Sequence, residues 1–173
     1  MKTNLQFDFI VNKETQTVTV KREFEANLDL VWSAWTEPEI LDQWWAPKPY
    51  VSKTKSMDFK VGGRRLYVMC GPNGEEHWCL ADYTSISSKS NFSYRDAFCD
   101  NLGNIDTTIF PGSNWSINFI DKGDTTLVDV IITHNSLSDL EKIIAMGFKD
   151  GFTIAINGLD DLLSILKNKS YED

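Results

Sequence analysis

The fold is decided by residues 137–168, LSDLEKIIAMGFKDGFTIAINGLDDLLSILKN. Leu140, Ile143, Ile144, Phe148, Phe152, Ala155, Leu159, Leu162, Leu163 and Leu166 recur at steps of three and four, which places them on one broad helical face. The start is marked twice, by Ser136 with Asp139 and by Ser138 with Glu141, each pair at capping-box spacing. A helix of about 30 residues extends about 45 Å at about 1.5 Å per residue, so it has to lie across a whole sheet, and a curved sheet receives it best. Gly147, Gly151 and Gly158, with Ala155, form a stripe of small residues on it. Each glycine costs roughly 1 kcal/mol relative to alanine in a helix interior. A packing notch or kink point is the plain reading, and a notch facing a ligand is the other.

Working back toward the N-terminus, the period changes from helical to alternating. Strands are predicted at about 51–60, 64–70, 76–87, 90–98, 114–120 and 125–134. Gly62-Gly63, Pro72-Asn73-Gly74 and Lys122-Gly123-Asp124 supply the turn chemistry between them, which implies an antiparallel meander. Residues 5–11 and 17–25 read as two further strands around a polar turn at 12–16. Between these and the meander, Asn27 can cap a short helix carrying Leu30, Val31, Ala34 and Trp35, and Thr36-Glu37-Pro38-Glu39 reads as a capping box opening a second. Pro47 and Pro49 close that pair. No repeat or linker divides the chain, so one domain spanning 1–173, with a core of about 17–168, is expected.

Composition narrows the function. The chain has 173 residues, 17 basic and 25 acidic, for a net charge of −8. That balance repels polyanions, so nucleic acid and anionic membrane surfaces are poor partners. No apolar run reaches the ~18 residues of a membrane span, and Met1-Lys2-Thr3-Asn4 is not followed by a signal-peptide core, so a soluble, cytoplasmic protein is expected. Three cysteines, Cys70, Cys79 and Cys99, show no framework spacing and are expected to stay free. Aromatic residues make up 12 % of the chain, more ring surface than a thin two-layer fold needs.

The order strands, two short helices, six-strand meander, long C-terminal helix resembles the α+β helix-grip fold of START-like and Bet v-like proteins. Within it, Phe24-Glu25-Ala26-Asn27, Val31-Trp32-Ser33-Ala34-Trp35-Thr36-Glu37-Pro38-Glu39, Leu41-Asp42-Gln43-Trp44-Trp45-Ala46-Pro47, Met57-Asp58-Phe59 with Gly62-Gly63-Arg64, and Gly71-Pro72-Asn73-Gly74-Glu75-Glu76 resemble the family named for the activator of the ninety-kilodalton heat-shock protein ATPase. Gly147-Phe148-Lys149-Asp150-Gly151-Phe152 and Leu159-Asp160-Asp161-Leu162-Leu163 look like that family's terminal helix. The likeness covers roughly 17–166; Leu28 stands where a proline is common, and 99–114 has no match. The resemblance implies a cavity between long helix and sheet that holds a small lipophilic ligand, and no shared catalytic motif or cofactor. The co-chaperones that name the family carry an additional N-terminal domain for which this chain leaves no room, so a chaperone partner is the alternative. Small proteins of this fold often pair as homodimers.

Alternation assigns candidate cavity residues. Phe92, Tyr94, Asp96 and Phe98 share one face of their strand, as do Trp115, Ile117 and Phe119, and Val128, Val130, Ile132 and His134. Tyr67, Met69, Trp78, Leu80 and Tyr83 lie on strands whose inward face is ambiguous, because both alternations are apolar. Trp45, Phe148 and Phe152 complete the candidate lining, with Trp45 either at the cavity mouth or at the surface. Asp96 and His134 are the ionisable groups on apolar faces, where burial raises an Asp pKa and lowers a His pKa, the preparation that proton transfer uses. The plain alternative has His134 partly solvated beside Asn135, and Asp96 satisfied by a tyrosine hydroxyl or a backbone amide. A hairpin centred between Asn73 and Gly74 would set Cys70 opposite His77 with Cys79 nearby, yet with no fourth ligand no metal is expected. Lys48, Lys53, Lys55, Lys60, Arg64 and Arg65 form a basic cluster, read as a solvated strand face or as a surface for an acidic partner.

No P-loop, G-x-G-x-x-G, G-x-S-x-G, H-E-x-x-H or C-x-x-C occurs. Three functions remain in order of preference: binding of an apolar or aromatic molecule without chemistry, regulation of a chaperone ATPase, and a cyclase- or hydrolase-type enzyme working through Asp96 or His134.

Overall fold

The computed structural model describes residues 5–108 and 110–172; the Met1–Asn4 opening read above lies outside them. Among the described residues, eight strands form one antiparallel sheet: β1 Phe7–Asn12, β2 Thr17–Phe24, β3 Val51–Met57, β4 Arg64–Cys70, β5 Glu76–Ser87, β6 Asn91–Phe98, β7 Ser113–Asp121 and β8 Thr126–His134. Their spatial order is β1-β2-β8-β7-β6-β5-β4-β3, so the six consecutive strands are the meander that the turn residues imply, and the first hairpin joins it through β2 and β8. Helices α1 (Leu28–Thr36) and α2 (Pro38–Leu41) follow β2, and α3 (Leu137–Ala145) and α4 (Phe148–Glu172) follow β8. This is the helix-grip architecture.

Local chemistry sets the helix ends. The Asn27 side chain caps α1 by accepting from the Leu30 amide at 2.9 Å, as its sequence position suggests. The capping box expected at Thr36 is not formed: the Thr36 hydroxyl donates to the Trp32 carbonyl at 2.8 Å, and Glu37 precedes Pro38 at the helix start without a side-chain cap. Ser136 caps α3 by accepting from the Asp139 amide at 3.1 Å.

The long terminal helix is two helices, not one. Gly147 has φ of +88°, and its amide returns to the Ile144 carbonyl at 3.0 Å, which is how a left-handed glycine ends a helix. Its carbonyl then accepts the Gly151 amide at 3.0 Å as α4 begins. An amphipathic pattern runs through such a break unaltered, since α3 and α4 both bury their apolar sides. The buried set of α4 is Phe152, Ala155, Ile156, Leu159 and Leu163, each worth up to about 1.5–3 kcal/mol of transfer for the large residues. Ile156, absent from the predicted face, belongs to it by its spacing, four residues after Phe152 and three before Leu159.

The core lies between these helices and the concave side of the sheet. At one end it is solid with rings: Trp32 packs on Phe119 at 5.0 Å and on Phe92 at 5.8 Å, and Phe59 on Tyr83 at 4.9 Å. A smaller cluster of Leu66, Leu80 and Ala97, with Trp78 and Cys99 against it, lies apart from the main core. The unmatched stretch 99–114 supplies the loop beside it, tied by Asp100, whose carboxylate accepts from the Leu102 and Asn104 amides, both at 2.9 Å.

Candidate functional site

At the other end of the core, where α3 gives way to α4, the rings do not close. A cavity of about 290 Å³ lies between the helices and strands β4 to β8, and its wall is mostly apolar. Phe148, Gly151, Phe152 and Ala155 of α4 form one side. Trp115 stands in the middle of the sheet side, 5.7 Å from the Phe152 ring and 5.5 Å from that of Tyr94. Pro47 and Tyr50 enter from the turn after α2.

Register explains which side chains arrive there. On β4 and β5, Tyr67 faces Cys79 and Met69 faces His77, and all four line the cavity. Trp45 also lines it, and its indole nitrogen donates to the Tyr67 hydroxyl at 3.0 Å, while Trp44 is buried and donates to the Ala34 carbonyl. Beneath them, Arg65 lies 4.0 Å over the Tyr67 ring. Arg65 is 3 % exposed, which corrects its place in a solvated basic cluster. It is held by Asp42, Ser52 and Thr54 at 3.1–3.2 Å. Arg64 is likewise engaged, by Asp82 at 2.6 Å.

Asp96, Ser113 and His134 form one row across β6, β7 and β8, since Asp96 and His134 both pair with Ser113. The Asp96 Oδ1 accepts from the Ser113 amide at 2.7 Å and from its hydroxyl at 2.8 Å, and Ser113 Oγ accepts in turn from the Trp115 indole at 3.1 Å. Burial raises the Asp96 pKa from its ordinary value, with those bonds to Ser113 acting against it. Gly112 stands so close to the Asp96 carbonyl that a Cβ there has no room. His134 is 4 % exposed, not partly solvated as its strand-end position suggests, because Phe110 from the 99–114 stretch packs 5.9 Å from its ring. Neither imidazole nitrogen has a hydrogen-bond partner among the described residues. Burial lowers the His134 pKa, with Asp139 raising it and Arg95 lowering it further.

Of the candidates, Trp45, Tyr67, Met69, Tyr94, Asp96, Phe98, Trp115, Ile132, His134, Phe148 and Phe152 line the cavity. Five do not. Trp78 alternates with His77 and Cys79 and so packs with Leu66 and Leu80 instead. Tyr83 lines a separate void of about 20 Å³, and Ile117, Phe119 and Val130 are sealed in the solid part of the core. Phe110 and Ser113 also line the cavity and lie outside the expected strands, because 99–114 has no periodicity and β7 starts one residue before the expected 114. The Cys70–His77 pairing is also corrected: Cys70 faces Glu76, since Pro72-Asn73-Gly74 is a three-residue turn with Gly74 at φ of +84°. No cluster of three or more metal-type side chains occurs among the described residues. No helix among them is long and apolar enough to cross a membrane.

A curved antiparallel sheet gripping a C-terminal helix around a ring-lined cavity defines a START-like protein. The family model for activator of Hsp90 ATPase homolog 1-like protein matches residues 25–164, and the chain belongs to that family. Among solved structures, protein Ms6760 from Mycobacterium smegmatis is similar over 94 % of this chain and 99 % of its own, at 27 % identity and a TM-score of 0.84. A protein from Arthrobacter aurescens is similar over 91 % of both chains, at 25 % identity and a TM-score of 0.85. CalU16 from Micromonospora echinospora shares the fold at 15 % identity, a TM-score of 0.61 and coverage of 92 % of this chain and 75 % of its own. The comparison with curated proteins returns no match.

Proposed function

We propose that the protein binds an apolar or aromatic small molecule in the cavity between α3–α4 and the sheet, without chemistry on it. The observation that carries this is the cavity itself: about 290 Å³, near the lower end of ligand pockets at ~300–1,000 Å³, with a wall of rings and few polar groups. A non-catalytic role fits the row of Asp96, Ser113 and His134, in which the carboxylate is engaged by the serine and the indole supports the serine. Native mass spectrometry of the protein purified under mild conditions tests the reading. A bound small molecule that is lost on denaturation is expected; a protein that carries none and whose thermal midpoint no aromatic compound raises overturns it.

The family description favours a second reading, regulation of a chaperone ATPase. Its test is a pull-down with the purified chaperone and an ATPase assay, and failure of both removes it.

A further inference from the structure

Resting on that reading, the polar groups of the cavity wall indicate what the ligand carries. Most of them serve one another: Ser113 is bonded to Asp96 and Trp115, and Trp45 to Tyr67. His134 differs, as the described wall residue whose side-chain nitrogens are sealed from water with no partner. It is 4 % exposed, lines the cavity, and offers two nitrogens to which no described residue donates or from which none accepts. A neutral imidazole has one N–H donor and one acceptor nitrogen, and each polar group left buried without a partner carries a desolvation cost. Its strand neighbours leave that need unmet: Ser113, directly opposite, is turned to Asp96, and the Asn135 side chain accepts from Arg95 at 3.3 Å. Two strands away, both Ser113 bonds fall on Oδ1 of Asp96, which puts a carboxyl group in the same wall.

We infer that the cavity takes a neutral, hydroxyl-bearing aromatic molecule whose hydroxyl pairs with the His134 imidazole, and that Asp96 selects against carboxylate analogues. A hydroxyl can both donate and accept, so it suits either nitrogen of a neutral imidazole. The volume suits about two fused rings, the small end of ligand pockets. Apolar burial alone predicts the opposite preference, because moving a hydroxyl out of water without a partner is unfavourable. The sign of the preference therefore separates an anchored ligand from a merely greasy one.

The test compares 2-naphthol, naphthalene and 2-naphthoate on the wild-type protein by calorimetric titration, then repeats it on His134→Leu and Asp96→Asn. Roughly tenfold tighter binding of 2-naphthol than of naphthalene is expected, the scale of one hydrogen bond in a water-excluded site, with 2-naphthoate weakest. His134→Leu is expected to remove the preference for 2-naphthol and leave naphthalene binding intact, and Asp96→Asn to narrow the gap to 2-naphthoate. Equal binding of 2-naphthol and naphthalene overturns the anchor while the cavity reading stands. Tightest binding of 2-naphthoate overturns the selection against anions. No binding of any of the three overturns both the anchor and the cavity reading. If His134→Leu does not fold, the wild-type ranking still decides.

Discussion

Removing Asp42 should destabilise the protein strongly, because it would strand a buried cation. Its carboxylate accepts from Ser52 Oγ at 2.9 Å, the Thr54 amide at 2.9 Å, Thr54 Oγ1 at 2.8 Å and Arg65 Nη2 at 3.2 Å. The Arg65 side chain is 4 % exposed, so its charge has little water to return to. Breaking a buried pair by deleting one partner costs about 3–5 kcal/mol, against a total stability of about 5–15 kcal/mol. For a chain of this size that corresponds to a fall in melting temperature of about 6–20 °C.

Urea unfolding followed by tryptophan fluorescence measures it, with Asp42→Ala, Arg65→Met and the double variant forming a cycle. Replacing both charges is expected to recover much of the loss, since well-packed apolar groups often replace buried pairs without penalty. The recovery should be partial, as methionine gives up the guanidinium stacked over Tyr67. An Asp42→Ala variant within about 1 kcal/mol of wild type, or a double variant no more stable than Asp42→Ala, refutes the argument that Arg65 depends on this carboxylate.

Two glycines of the terminal helices should respond with opposite signs. At Gly158 an added Cβ meets nothing within 4 Å, so Gly158→Ala should gain about 1 kcal/mol and raise the melting temperature by about 2–4 °C, whereas Gly147→Ala, forced to φ of +88°, should lose about 1–2 kcal/mol. Burial pushes the Cys79 thiol up to about 12, so iodoacetamide at mildly alkaline pH should spare it in the folded protein and modify it only in denaturant, as peptide mass mapping would show. The His134 pKa lies below its ordinary 6.5 in the folded state, so below that pH the unfolded chain binds the extra proton and stability falls as pH drops toward the folded pKa. Urea midpoints across that window should show the fall in wild type and a flatter profile in His134→Leu; identical profiles would remove His134 from the account.

What was legible in the chain is what local physics determines. Asn27 and Ser136 sit where their side chains can cap, and the alternation of Trp115, Ile117 and Phe119 survives as an inward face. Three features escaped because their determinants are not local. Gly147 ends α3 through a left-handed backbone, yet the apolar spacing on both sides matches one long helix. Trp78 and Cys79 are both apolar in character, and only the pairing of β4 with β5 decides that Cys79 faces the cavity. Phe110 belongs to no periodic segment, and it reaches His134 only through the fold of the loop before β7.

The same non-local features make the cavity. A straight helix over 137–168 would lay one continuous ridge along the sheet; at the solid end of the core, Phe92 and Phe119 are covered by Trp32 of α1. Gly147 interrupts that ridge, and the residues around the interruption, Ile143, Met146, Gly147 and Phe148, all border the open volume. The aromatic surplus of the sequence therefore divides by position. Around Trp32 of α1 it is packing, and opposite the break between α3 and α4 it becomes a wall, with the His134 imidazole set into it. Placing a residue that favours the right-handed helix at 147 should therefore disturb the cavity as well as the helix. In Gly147→Ala, weaker binding of naphthalene than the stability loss alone explains is the expected signature, and unchanged affinity would show that the cavity owes nothing to the break.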